Sequence, residues 1–459
     1  MAAATIRQYL EGYAEPIVGW FQTEFLAQLP RAYQFVLVIP VFDEPLDCLE
    51  QVLPLDLQQT LVIVVVNSAV DSDPVAVAQT QAFWKQFSPT EHAISCVPLG
   101  QESDCLIVDC ATDGRQLPVK QGVGLARKIG GDLALACIHR GVVACPWIHC
   151  TDADVKLPLH YFDNTLPAPD VAVAIYPFQH VPPHENILFY EISLRYYVIQ
   201  LAQVGSPYAF QTIGSLLKIN AYHYAMVRGF PKRTAAEDFY MLNKLAKTGQ
   251  ILRLKVPVIQ LASRISKRVP FGTGAAMARL AQQPKFELYH PQIFQYLKIW
   301  LDVIPKLWTP SSNLPTTHLS VRERFQSQIS LQTDIKQADI KQAATHNTLV
   351  LDALLALGLE KVLPQADRQC RDLAHFCRYL WVWFDAFRTL KFIHYLRDHA
   401  FPNLPLSDAV GMMDIMSLHP PETTPNPSFS TAHLTQINTQ LILLENQLPK
   451  AVGPTLGSK

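Results

Sequence analysis

A chain of 459 residues is longer than one hydrophobic core usually serves, so more than one folded unit is expected. With 49% hydrophobic and 17% charged residues, it is a globular chain and not a disordered one. The formal net charge of -1 excludes a global electrostatic drive toward nucleic acid or anionic lipid, leaving only local basic patches.

Residues 1–30 carry helical periodicity through Ile6, Leu10, Tyr13, Val18, Phe21 and Phe25, and Pro30 ends the run, which predicts an N-terminal helical arm. Phe35–Val41 is a continuous apolar run of the kind found in strands covered on both faces of a parallel sheet. A helix through Leu46–Leu53 follows, then a second such strand at Leu61–Val66 and a helix at about Pro74–Phe87. Cys105–Cys110 predicts a third strand, Gly122–Ile138 a helix and Val142–Cys150 a further strand. Val171–Tyr176 reads as a strand, Ile187–Val204 as a long helix and Gln211–Ile219 as a strand or the entry to a helix. A helix ending at Gly249, a strand over Ile251–Leu261 and a basic loop over Ser263–Gly274 complete this part. This alternation predicts an open, mostly parallel α/β sheet with helices on both faces. Beyond about residue 281 strand signals vanish and helical segments separated by prolines predict an all-helical C-terminal domain. Within it Leu380–Leu396 is hydrophobic nearly all round, as a buried helix would be. The tail after Ser407 is Pro-rich, with one short helix near Leu434–Leu448. The expected division is therefore 1–30, 31–280 and 281–459.

The nine cysteines are odd in number and lack a repeated Cys-x-x-Cys spacing, which argues against a disulfide framework or a structural zinc. Cys145, His149 and Cys150 cluster on one apolar strand and read as core residues. The N-terminus lacks a basic region followed by an apolar run, and no stretch of about 18 apolar residues occurs. A cytoplasmic protein without a membrane span is expected, peripheral membrane contact remaining open.

The organising stretch is Cys145–Pro158, a short strand that ends in Asp152 and Asp154. Residues two apart in an extended segment point the same way. Two hard oxygen donors on one side suit Mg²⁺ or Mn²⁺, which in turn can hold a diphosphate. Asp43 and Glu44, Asn67 and Ser68, and this aspartate pair all follow predicted strands, at the edge where open α/β sheets bind ligands. Arg127 and Lys128 lie early on a helix after a glycine-containing turn, a place that favours phosphate, although a Lys128–Asp132 i,i+4 pair on a solvated face is the alternative. Arg264, Lys267 and Arg268 lie in the basic loop and are candidates for folding over a diphosphate. Thr234-Ala235-Ala236-Glu237 fits a capping box, in which Glu237 bonds back to the cap.

Together these features resemble a family-2-type nucleotide-sugar glycosyltransferase of the GT-A fold. Val38-Ile39-Pro40-Val41-Phe42-Asp43-Glu44 resembles the family's opening strand V-x-I-P-x-Y-N-E. Gly122–Gly130 resembles its G-x-x-x-A-R-N-x-G helix, and Thr151-Asp152-Ala153-Asp154 its D-A-D metal motif. Ala236-Glu237-Asp238, before a helix ending Leu245-Ala246-Lys247-Thr248-Gly249, resembles its E-D motif. The motifs keep the family's order over roughly residues 35–275, and the C-terminal part is not covered. Leu61–Val66 ends in Asn67-Ser68 where the family commonly has an aspartate pair that binds the base and ribose; Asp71 and Asp73 are the alternatives to Asn67, or sit in a turn.

The resemblance implies transfer of a sugar from a nucleotide diphosphate to a hydroxyl acceptor, with Mg²⁺ or Mn²⁺ held by Asp154 and by Asp152, directly or through the ribose. It implies donor contacts from Pro40, Phe42, Glu44, Asn67, Arg127, Lys128, Asp152 and the basic loop. It further implies Asp238 as the base that takes the acceptor proton in an inverting reaction, with Glu237 beside it. A retaining relative acting on a small polar acceptor such as a glycerate, or a non-catalytic nucleotide-sugar-binding scaffold, are the alternatives. A sugar-phosphate nucleotidyltransferase is disfavoured, because Pro40–Pro45 lacks the glycine-rich phosphate loop that follows the first strand in such enzymes.

Overall fold

The uninterrupted apolar runs at 35–41 and 61–66 form the middle of the main sheet. The structure, a computed structural model, describes residues 2–87, 92–162, 167–264, 273–282, 285–308, 320–330, 340–413 and 430–454. The chain divides into two units, Met1–Tyr190 with Gln211–Gln282, and Glu191–Phe210 with Gln283–Lys459. The N-terminal helices thus belong to the first unit.

The first unit opens with α1 (Ala2–Gly12) and α2 (Pro16–Trp20), then β1 (Phe35–Val41), α3 (Cys48–Val52), β2 (Thr60–Asn67) and α4 (Pro74–Phe87). It continues with the hairpin strands β3 (Ile94–Leu99) and β4 (Ser103–Cys110), α5 (Gly122–His139), β5 (Trp147–Cys150), β6 (Val155–Lys156), β7 (Val171–Ile175) and β8 (Phe178–Val181). The helix α6 (Glu185–Gln203) contains the boundary between units. After it come β9 (Leu217–Asn220), α7 (Ala221–Met226), α8 (Glu237–Leu245), β10 (Gln250–Arg253) and β11 (Ile259–Ala262).

The main sheet runs β10-β7-β9-β5-β1-β2-β4-β3. β5, β1, β2 and β4 are mutually parallel, while β9 and β3 run antiparallel to their neighbours. Every residue of β1, β2 and β4 is buried, which requires cover on both faces. A second small sheet, β6-β11-β8, lies beyond the end of β5.

Helix α5 is buried continuously from Gly124 to Cys137, unlike an ordinary amphipathic helix. One side packs on β1 and β2, and the other receives α1, α2 and α7. Gly130 makes the close approach to the sheet: a Cβ there would stand 2.4 Å from Val38 Cγ1. The side toward α1 carries a buried polar network. Asp132 accepts from Tyr9 Oη (2.5 Å), Tyr224 Oη (2.8 Å), Lys128 Nζ (2.9 Å) and the Glu15 backbone N–H (2.9 Å). Lys128 also donates to the Tyr13 carbonyl at 3.0 Å. Asp132→Ala strands all of these donors in a dry interior. Removing one partner of a buried ion pair costs about 3–5 kcal/mol, so a clearly lower urea midpoint is expected; an unchanged midpoint would deny the network any energetic weight.

Two longer runs are divided. The strand expected over Ile251–Leu261 is two strands, β10 and β11, separated by the Lys255–Val258 turn with its cis Val256–Pro257 bond. In the second unit the apolar Leu380–Leu396 segment is not one helix but the end of one (Leu373–Trp383) and most of another (Ala386–His399). Asp385 breaks it, because its carboxylate caps the later helix through the Arg388 N–H at 3.1 Å. Phe384 and Phe392 around this break are buried, together with Trp300 and Phe325. Among the described residues the second unit is otherwise helical apart from three two-residue strands, Glu287–Leu288 paired with Leu404–Pro405, and Ala451–Val452, so the all-helical expectation holds only in outline. Among the described residues no helix is long and apolar enough to cross a membrane.

Candidate active site

Parallel register brings the ends of β5, β1 and β2 side by side: Val38 pairs with Cys150, and Val41 with Val66. Glu44, Asn67, Asp152 and Asp154 therefore follow adjacent strands along one carboxyl edge. Pro40 is buried within β1, paired with Val65, and Phe42 is half-buried just past the strand end.

Arg127, on the second turn of α5 and 2% exposed, ties two of the sequence motifs together. Its Nη2 donates to Asp152 Oδ1, and its Nε donates to Glu237 Oε1 at 3.0 Å. Burial opposes the guanidinium charge, but Asp152 and Glu237 outweigh it and hold Arg127 protonated. Its remaining nitrogen, Nη1, is buried with no hydrogen-bond partner. Asn67 Oδ1 and Thr151 Oγ1, at the ends of β2 and β5, are orphaned in the same way. Buried polar atoms are seldom left unpaired in a native protein, so three such atoms near the carboxyl edge make it a candidate place for a polar ligand.

Glu237 and Asp238 open α8. Burial raises the Glu237 carboxyl, with Arg127 pulling against it. Asp238, half-buried, is pushed from 3.8 up to about 7, first by burial and then by the neighbouring Glu237 charge. It accepts from the Phe239 N–H at 2.7 Å.

On the other side of the aspartate pair stands Arg264. Its Nε donates to Asp154 Oδ2 at 2.9 Å, its Nη1 to Glu44 Oε2 at 2.9 Å and its Nη2 to Glu44 Oε1. The two aspartates are thus held by different arginines, Asp152 by Arg127 and Asp154 by Arg264. Ser263 places Arg264 here by bonding back to the end of β8, N–H to the Val181 carbonyl (3.2 Å) and Oγ to the Pro182 carbonyl (2.7 Å).

Several expectations are corrected. Lys128 does not join Arg127 at this edge; its ammonium is drawn into the Asp132, Tyr9 and Tyr13 network under the N-terminal helices. The Lys128–Asp132 pair does form, but in the interior and not on a solvated face. The first turn of α5 is not free for phosphate, because the Gly124 N–H donates to the Arg233 carbonyl at 2.9 Å. A Cβ on Gly124 would lie 2.4 Å from the Pro231 carbonyl oxygen, so the glycine is there to seat the Pro231–Arg233 loop. The Thr234–Glu237 capping box is absent as well. Ala236, at φ 59°, is the cap of α8 without a side-chain bond, and Glu237 turns to Arg127 instead. Asp73 serves as a cap, accepting from the Val75 and Ala76 N–H groups at the start of α4, while Asp71 is exposed. Cys145, His149 and Cys150 are buried, the cysteines are free, and burial holds the His149 imidazole neutral. Lys267 and Arg268 lie outside the described residues.

Sequence reading missed Glu15. It bonds Asp132 through its N–H and Lys232 through its carboxylate (2.8 Å), and so fastens the N-terminal helices to the loop before Glu237. No local pattern marks such a residue.

Among the described residues no cluster of three or more His, Cys, Asp or Glu side chains is arranged to hold a metal ion. The donor set still fits a hard cation. Mg²⁺ and Mn²⁺ suit carboxylate oxygens, and Mg²⁺ is typically held by one or two carboxylates with substrate phosphates and water completing its shell. Asp152 and Asp154 supply carboxylates that are 35% and 32% exposed.

No protein-family model matches the chain, and no curated protein matches its sequence. Among solved structures it is similar to the crystal structure of S. aureus TarS 1–349 in complex with UDP-GlcNAc, at a TM-score of 0.30 and 11% identity. That match covers 75% of this chain and 90% of that one. A likeness of that size leaves the reading of the site to its geometry.

Proposed function

We propose that the chain is a GT-A-type glycosyltransferase that moves a sugar from a nucleotide diphosphate to a hydroxyl acceptor with inversion. The observation that carries this reading is the Arg127 bridge. It joins Asp152, at the carboxyl edge of the sheet, to Glu237, whose neighbour Asp238 has the proton affinity a general base needs near neutral pH.

Roles follow from position. Orphaned Asn67 Oδ1 is an acceptor for a base N–H, with Pro40 on the neighbouring β1 and Phe42 just past its end. Asp152 and Asp154 would hold Mg²⁺ or Mn²⁺, which when bound neutralises the charge of the departing diphosphate. Arg264 is the positive charge on the phosphate side. Asp238 takes the acceptor proton as the hydroxyl attacks the anomeric carbon from the face opposite the diphosphate, and Glu237, pinned by Arg127, keeps that pair in place.

Calorimetric titration with UDP, GDP, ADP, CDP and TDP, each with and without Mn²⁺, tests the donor half. One nucleotide should bind with metal dependence, and Asp154→Ala should weaken it at least tenfold. A folded protein that binds none of them refutes the reading.

A further inference from the structure

Arg264 presents the most unusual arrangement at this edge. Carboxylates that would hold a divalent cation are already neutralised from within the chain. The guanidinium spans one of them, Asp154 after β5, and the neighbouring Glu44 on the β1 side, with three donor nitrogens engaged. Glu44 is 4% exposed, so its charge needs a permanent partner, whereas the Arg264 and Asp154 side chains are 35% and 32% exposed and can part. Burial disfavours the guanidinium charge, but the bonds from Glu44 and the charge of Asp154 more than offset it.

We infer that Arg264 is an internal counter-ion latch that competes with the divalent cation for Asp154 and is released only when a diphosphate offers it a second anionic partner. The inference rests on the proposed donor site and adds an order of binding to it. A cation approaching the free protein meets an aspartate whose charge is already matched, and must displace a geometrically good, multidentate arginine contact to reach it. A diphosphate changes the balance. It brings oxygens that an arginine fork binds at least as well as a carboxylate, and oxygens that complete the cation's shell. Arg264 can then turn from Asp154 to phosphate while keeping Glu44, which relieves its competition with the metal for Asp154. Cation and nucleotide therefore bind with strong mutual dependence, and neither binds tightly alone. Arg264 contributes in two opposite ways: it blocks the metal before the nucleotide arrives and holds the phosphate afterwards.

The test reads Mn²⁺ directly, by the loss of the free-ion EPR signal, in the full chain without any sugar donor. Wild type alone should bind Mn²⁺ only in the millimolar range. Arg264→Met, which keeps the length and removes the charge, should bind it at least tenfold more tightly, and Arg264→Lys, a point charge without the fork, should fall between. Adding Asp154→Asn to Arg264→Met should abolish the gain. With the nucleoside diphosphate selected by the calorimetric panel, wild-type Mn²⁺ affinity should rise at least tenfold while that of Arg264→Met rises less. Tight Mn²⁺ binding by wild type alone, or equal affinity in Arg264→Met judged folded by its melting curve, overturns the latch; the wild-type measurement decides even if the variant fails to fold. If no nucleotide binds but Arg264→Met still gains Mn²⁺ affinity, the competition stands and the glycosyltransferase reading fails.

Discussion

Asp238→Asn should lower the transfer rate by about 10²–10⁴-fold, the usual contribution of a general base, while leaving nucleotide binding within about twofold. The same variant should be more stable than wild type above neutral pH, and the two effects have one cause. In the folded chain the Asp238 carboxyl is raised from 3.8 to about 7 by burial and by Glu237. Between those values the folded state holds a proton that the unfolded state has released. Stability contributed by this group is therefore complete below about pH 4 and is lost as pH rises through about 7. A carboxyl moved over that interval corresponds to roughly 4 kcal/mol, which partial exposure to solvent reduces to about 2 kcal/mol. Asparagine carries no charge at any pH, so Asp238→Asn should unfold at higher urea than wild type at pH 8, by a smaller margin at pH 5, and at nearly the same urea at about pH 4. The wild-type transfer rate should climb with pH through about 7, because the base works only after losing its proton. A variant equally destabilised at all three pH values, or a wild-type rate that falls as pH rises from 6 to 8, would remove Asp238 from the base role.

How much of this was readable beforehand depended on the range of the interaction. β1 and β2 were legible because a strand covered on both faces must be apolar throughout, and Phe35–Val41 and Leu61–Val66 are. β3 left no such trace. Ile94–Leu99 is an edge strand containing Pro98, with only Ile94 fully buried, and it is held by antiparallel pairing to β4 and not by a hydrophobic pattern of its own. The Leu380–Leu396 run misled for a different reason. Its composition suits one buried helix, but a single Asp385 side chain offers its carboxylate to the backbone and starts a new one.

The site divides the same way. Asp152, Asp154, Glu44 and Arg127 sit in short motifs, so their identity could be read from local sequence. Their partners could not. Arg264 lies 220 residues from Glu44 and 110 from Asp154, and nothing in a local window predicts that a guanidinium will stand between them. Gly124 is the clearest example. A glycine in the first turn of a helix suggests a phosphate cradle, yet its missing side chain is needed by the Pro231–Arg233 loop, which brings Glu237 and Asp238 to the sheet edge. Lys128 was misplaced because its neighbours, Tyr9 on α1 and Tyr13 and Glu15 in the link to α2, come from a segment whose docking on α5 is a tertiary event.

Arg127 should prove costly for both stability and activity, and its two bonds should separate by assay. Arg127→Met leaves Glu237 buried without its counter-charge, at a cost of about 3–5 kcal/mol in stability, and frees Asp152 from its anchor. Arg127→Lys restores charge but presents a single ammonium where a planar fork met two carboxylates, so stability should recover more than activity. The Glu237 side chain is 7% exposed and the Asp152 side chain 35%. In a double-mutant cycle read by urea unfolding, coupling of Arg127 to Glu237 should therefore exceed its coupling to Asp152, since solvent screens the more exposed pair. Read by metal-dependent nucleotide binding, the order should invert, because the proposed function puts Asp152 on the donor side and Glu237 beside the proposed base. Arg127→Met should also move the half-maximal pH of transfer above about 7, since the guanidinium is one of the groups that draws the Asp238 proton off. A structural arginine would give one ranking in both assays and leave that midpoint where it was. An inverted ranking together with a shifted midpoint is the behaviour of a residue that joins the two halves of one active site.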